Sequence, residues 1–177
     1  MKVVGLAGWS GAGKTTLLTK LIPHFAGLGL AVSTIKHAHH AFDVDKPGKD
    51  SWMHREAGAQ EVLVSSANRF ALMREIRGAA EWTLSQLLDK LSPCDLVIVE
   101  GFKRSGHPKI EVHRAQNGKP FLWRDDADIH GIASDVDVGP DAPRRVHLDD
   151  VHAVADIMLA AAIDAGDVRW RLAQRGE

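Results

Sequence analysis

Residues 8–15, GWSGAGKT, constrain this chain more than any other stretch. They satisfy G-x-x-x-x-G-K-[ST] at every fixed position. The flanks fit as well. The apolar, β-branched run KVVGLAG (2–8) precedes the motif and reads as a buried strand. KTTLLTKLIPHFAGLGL (14–30) follows it, with Leu17, Leu18, Leu21, Ile22 and Phe25 at helical spacing and Gly27 and Gly29 as the stop. A glycine turn between strand and helix aims backbone N–H groups at an anion, and the helix adds its positive end. In this reading Gly8, Gly11 and Gly13 let the backbone wrap a phosphate chain. Lys14 neutralises the β- and γ-phosphates, and the Thr15 hydroxyl ligates Mg²⁺.

The rest of the chain continues the alternation. Strands are predicted over 31–37 and 95–101, helices over 50–58, 81–91 and 149–163, and a last strand over 129–135. Segments 61–67 and 69–75 are strand candidates close enough for a hairpin. KIEVHRAQNGKPFLWR (109–124) reads as a second hairpin around Asn117–Gly118, and its aromatics suggest a dimerisation arm. The expected fold is α/β: a P-loop NTPase-type, mostly parallel sheet with helices on both faces and a β-hairpin extension, forming one nucleotide-binding domain over 1–177. Ligands in such sheets bind at the carboxyl ends of the strands. Both GWSGAGKTT and VEGFK fall there.

A phosphate loop needs an acid to hold its metal. Glu100 ends the most apolar strand, LVIVE, and is the choice for holding Mg²⁺ through water or orienting an attacking water. The segment IKHAHHAFDVDKPGKDS (35–51) is read first as a nucleotide- or partner-contact loop. Asp43, Asp45 and Asp50 would face Mg²⁺, and His37 and the lysines would face phosphate. A solvated loop is the second reading, and a metal site on His37, His39 and His40 the third, because no Cys-x-x-Cys accompanies them and lysines flank them. Net charge is −1 and the pI about 6.8, so the totals give no basic footprint for nucleic acid. One cysteine, Cys94, excludes an internal disulfide and fits a reducing compartment. No apolar stretch reaches the ~20 residues of a membrane span, so a cytoplasmic protein is expected.

Together GWSGAGKTTLLTKLIP, IKHAHHAFDVDKPGKDSW, REAGA, RFALM and LVIVEGFK closely resemble the MobB family, the molybdopterin-guanine dinucleotide biosynthesis adapter proteins. The likeness is dense over about the first 110 residues and looser over IASD and the closing helix. The histidine–aspartate segment is far more specific than the phosphate loop. The resemblance implies a homodimeric protein that binds GTP with Mg²⁺, hydrolyses it weakly and assists a separate MobA-type guanylyltransferase in attaching GMP to molybdopterin. It places phosphate contacts on Gly11, Ala12, Gly13, Lys14, Thr15 and Thr16, and sets the loop from His37 through Asp45 to Asp50 near the nucleotide. The usual guanine-reading N-K-x-D is absent from the sequence. Asp135, in IASD, is the stand-in: its carboxylate can accept hydrogen bonds from guanine N1 and N2, and it fits a turn or cap aspartate nearly as well. Two other readings compete: a P-loop small-molecule kinase with Arg69, Arg74 and Arg77 as lid candidates, and a GTPase metallochaperone using the histidines.

Overall fold

The computed structural model describes residues 1–38 and 42–177. In chain order these form β1 (Lys2–Ala7), α1 (Lys14–Gly27), β2 (Val32–Lys36), α2 (Asp50–Glu56), β3 (Glu61–Ser65), β4 (Phe70–Arg74), α3 (Leu84–Leu88), β5 (Leu96–Glu100), β6 (Lys109–His113), β7 (Ile129–Ser134), β8 (Arg145–Val146), α4 (Val151–Ala161), β9 (Ile163–Asp164) and α5 (Ala165–Gln174). The backbone divides into two compact units, Met1–His37 with Thr83–Glu177, and Ala38–Trp82.

The larger unit is the mostly parallel sheet expected from the alternation. Its strand order is β2-β5-β1-β6-β7-β8, all parallel, with β9 pairing antiparallel to β1. Side chains alternate across each strand. Val4 and Leu6 of β1 therefore join Leu17, Leu21 and Phe25 of α1 and Val154 and Met158 of α4 on one face. Val3 of β1 and Val97 and Val99 of β5 meet Leu84 and Leu88 of α3 and Val168 and Leu172 of α5 on the other. Because the main strands are parallel, the turns after β1, β2, β5, β6 and β7 share one edge.

The chain from 109 to 124 departs from expectation. It is not a hairpin: β6 runs parallel between β1 and β7, with every residue buried. The alternation K-I-E-V-H suggested one wet face. Instead Ile110 and Val112 enter the apolar core, while Lys109, Glu111 and His113 are buried by polar partners. The Glu111 carboxylate accepts from the N–H groups of Leu122 (2.7 Å) and Trp123 (2.9 Å), taking up backbone that a returning strand would have paired. Asn117–Gly118 closes a 3₁₀ turn over Ala115–Asn117, with Gly118 left-handed at φ 57°. An interior strand offers no free edge, so the reason for placing a dimerisation arm here falls away.

The chain's end also differs. The predicted helix over 149–163 stops at Ala161, where Ala162 turns extended, and a separate helix, α5, follows. Asp150 caps α4 by accepting from Ala153 N, and Asp164 caps α5 by accepting from Gly166 N.

The smaller unit holds α2 and the predicted β3–β4 hairpin, in antiparallel register from Glu61↔Arg74 to Ser65↔Phe70. Arg55 of α2 organises it. Its guanidinium donates to Asp43 (2.6 Å), Asp45 (3.3 Å) and Glu75 (2.9 Å). The hydrogen bond from Asp45 N, and then Arg55, hold the Asp43 carboxyl below the usual carboxylate range.

Candidate functional site

The turn between β1 and α1 has the conformation its glycines permit. A Cβ on Gly8 would collide with the carbonyl oxygen of Val112. Gly13 stands at φ 93°, in the left-handed region, immediately before the first turn of α1. The Lys14 ammonium lies across the loop, donating to Gly8 O (2.9 Å) and Trp9 O (3.0 Å). Burial first, and then the positive charges of Lys103 and Lys36, lower its pKa; Glu100 pulls the other way. Ala12 is buried in the core under the loop, and Gly11 and Thr16 face solvent.

The predicted acid meets the predicted hydroxyl. Thr15 Oγ1 donates to Glu100 Oε1 at 3.2 Å, across 85 residues of sequence. Glu100 is 9% exposed at the end of β5, with register partners Leu6 on one side and Lys36 on the other. A hydroxyl and a carboxylate oxygen are the hard donors that Mg²⁺ takes when phosphate oxygens and water complete its shell. These two residues therefore fit the ion. Lys36 Nζ stands 3.9 Å from Glu100 Oε2.

Two further segments border the loop. After β5, Phe102 adopts a positive φ of 47°, and its ring stacks on His37 at 4.5 Å. His37 N donates to Glu100 O at 2.8 Å, so this predicted residue sits beside the acid. The Lys103 ammonium lies 5.2 Å from the centre of the Trp9 ring. After β6, Trp9 Nε1 donates to Pro120 O (2.7 Å) and Asn117 Nδ2 to Ser10 O (2.9 Å). Arg114 reaches the neighbourhood of Gly13 and pairs with Asp149 at 4.0 Å. Sequence reading missed Asn117 and Arg114 as neighbours of the loop. The Asn-Gly pair that signals a hairpin turn drew attention away from the asparagine amide itself.

Asp135 follows β7, half-buried, with Oδ1 accepting from Ala115 N at 2.8 Å. The structure thus gives it a backbone partner and sets it beside the segment that follows β6. Asp45 lies in the smaller unit, where Lys46 N, Ser51 Oγ and Arg55 occupy its oxygens. His39 and His40 lie outside the described residues. Among the described residues no group of three or more His, Cys, Asp or Glu could hold a metal ion. The kinase-lid candidates Arg74 and Arg77 have local work: Arg74 pairs with Glu61, and Arg77 donates to Gly58 O and Ala59 O.

The family model described as molybdopterin guanine dinucleotide synthesis protein B matches residues 3–135. The chain is 40% identical to the molybdopterin-guanine dinucleotide biosynthesis adapter protein of Escherichia coli (strain K12) over 177 aligned positions, covering 98% of this chain and 95% of that protein. It is 46% identical over 120 residues to the adapter protein of Haemophilus influenzae, covering 67% of each. A crystal structure of molybdopterin-guanine biosynthesis protein B superposes with a TM-score of 0.71 at 28% identity, over 89% of this chain and 97% of that one. Bacillus subtilis MobB shares the fold at the same TM-score and 21% identity, over 92% and 99%.

Proposed function

The chain belongs to the MobB family, and from that premise we propose that it is a GTP-binding adapter in molybdopterin guanine dinucleotide biosynthesis. The observation that carries the nucleotide reading is the Thr15–Glu100 hydrogen bond at 3.2 Å, directly behind a complete phosphate loop. In this reading the N–H groups of residues 11–16 cradle the phosphates, Lys14 swings from Gly8 O and Trp9 O onto them, and Thr15 and Glu100 hold Mg²⁺. Held by Thr15 and Glu100, the ion would supply positive charge to neutralise the terminal phosphates. Asp135 reads the guanine edge with the oxygen not used by Ala115 N. Hydrolysis is slow, because the residues named are binding groups; a supplied arginine finger is worth roughly 10³–10⁵ in rate. The adapter works in the cytoplasm as a homodimer beside a separate MobA-type guanylyltransferase, which performs the GMP transfer.

Titration calorimetry with GTP and ATP in Mg²⁺, on wild type and Lys14→Ala, tests this. The expected result is binding that prefers GTP and weakens at least about tenfold in the variant, since a charge-assisted hydrogen bond contributes roughly 1.5–3 kcal/mol. Preference for ATP would overturn the reading and favour phosphoryl transfer to a small acceptor.

A further inference from the structure

The strand order separates the two flanks of the phosphate loop. On one side of β1 lie β5 and then β2; on the other lie β6 and β7. The metal-side acid, Glu100, ends β5. A metal held by Thr15 and Glu100 would lie on the β5 flank and would neutralise the terminal phosphate from that side. The opposite flank carries Arg114 and Asp135. Arg114 already has a counter-charge in Asp149, 4.0 Å away.

The β5 flank is overloaded with positive charge. Lys36, the last residue of β2, stands 3.9 Å from Glu100 Oε2, with its side chain 63% exposed. Lys103, three residues beyond Glu100, rests its ammonium over the Trp9 ring at 5.2 Å, while Lys14 donates to the carbonyl of the same Trp9 at 3.0 Å. Lys14 borders Thr15, whose hydroxyl donates to Glu100, so the three cations gather around the one carboxylate and the loop beside it. Three ammonium groups against one carboxylate leave an excess of two positive charges on this flank. A Mg²⁺-bound nucleoside triphosphate brings about two negative charges, and the corresponding diphosphate about one.

Resting on the GTP-binding reading above, we propose that Lys36 and Lys103 are specificity-determining residues that make the site select a nucleoside triphosphate over a diphosphate. Lys14, Thr15 and the loop amides hold what both nucleotides share. Lys36 turns from Glu100, and Lys103 from the Trp9 face, to meet the charge that only the triphosphate carries. Loss of the terminal phosphate leaves the flank with an uncompensated positive charge, so the diphosphate is held less tightly.

The test is calorimetric affinity for GTP and for GDP, each with Mg²⁺, on wild type, Lys36→Met, Lys103→Met and Lys103→Arg, with circular dichroism melts confirming that all four are folded. Wild type is expected to prefer GTP. Each methionine variant should reduce the GTP-to-GDP affinity ratio about tenfold, with GDP affinity little changed. Lys103→Arg should keep the ratio, because it keeps a positive charge on a long side chain at this position. Equal weakening of both nucleotides, or an unchanged ratio in both methionine variants, would overturn the proposal while leaving GTP binding intact. Wild type that binds neither nucleotide would remove both this inference and the reading beneath it.

Discussion

Both ring nitrogens of His107 are buried without a hydrogen-bond partner among the described residues, because the imidazole fills the space left by Gly5 in the neighbouring strand. Burial, with Lys109 alongside, pushes its pKa from the ordinary 6.5 down to about 3; the Asp128 carboxylate opposes this only in part. A histidine lowered in the folded state takes up its proton more readily when unfolded. Its contribution is therefore neutral well above pH 6.5 and increasingly destabilising as pH falls from there toward 3. We expect His107→Leu to flatten the acid side of the stability profile. Wild type should lose up to ~1.4 kcal/mol per pH unit more than the variant through this window. Thermal melts of both proteins between pH 7.5 and 4.5 check it, and a constant difference across the series would contradict it. His107 has no role in the proposed nucleotide site, so GTP affinity at neutral pH serves as the control.

At the scale of elements, β6 decides how the phosphate loop is held. Glu111 accepts from Leu122 N and Trp123 N, and His113 stacks on Phe121 at 3.8 Å. This fixes the segment whose Pro120 and Asn117 hold Trp9 and Ser10. Desolvation raises the Glu111 pKa, and the two N–H donors offset that only partly. Glu111→Ala is expected to cost about 2–4 kcal/mol, two hydrogen bonds to a charged acceptor that leave buried N–H groups behind. It should also weaken GTP binding by loosening the loop's outer support. A urea melt together with a GTP titration reads both effects, and full stability in the variant would refute the bracing role. This region also marks the limit of what the sequence discloses. β1, α1, β2, β5 and β7 were legible because apolar period and glycine punctuation agree with their burial. The Thr15–Glu100 meeting was legible because the motif demands an acid at a neighbouring strand end. β6 was not, since Lys109 is buried by Asp126 (3.0 Å) and Ser105 O, and Glu111 by backbone N–H groups, partners that one-dimensional periodicity does not contain. The last predicted helix ends at 163, close to the observed end of α4; what went unforeseen is α5, which buries only Ala165, Val168 and Leu172 among polar and charged neighbours.

At the scale of the whole molecule, the smaller unit carries the association signal that sequence reading had assigned to 109–124. Its hairpin exposes Leu63 (61%) and Leu72 (55%), with Val64 and Phe70 also exposed. Adjacent strand residues point to opposite faces, so both sides present apolar surface. A two-stranded hairpin alone is marginally stable in water. The proposed homodimer is therefore expected to form through this hairpin. Leu63→Lys combined with Leu72→Lys should shift light-scattering mass from dimer to monomer while leaving the secondary structure of the larger unit in place. An unchanged dimer would move the interface elsewhere. The strand order has its own bearing on how such a chain is made. β1 and β2 do not touch; each waits for β5 to lie between them, and β5 begins sixty residues after β2 ends. At about 5–20 residues per second, the first two strands spend roughly 3–12 s of translation as unpaired edges. Through that interval the half of the protein that carries the phosphate loop presents strand edges open to wrong pairing, a hazard that a β5 placed earlier in the chain would shorten.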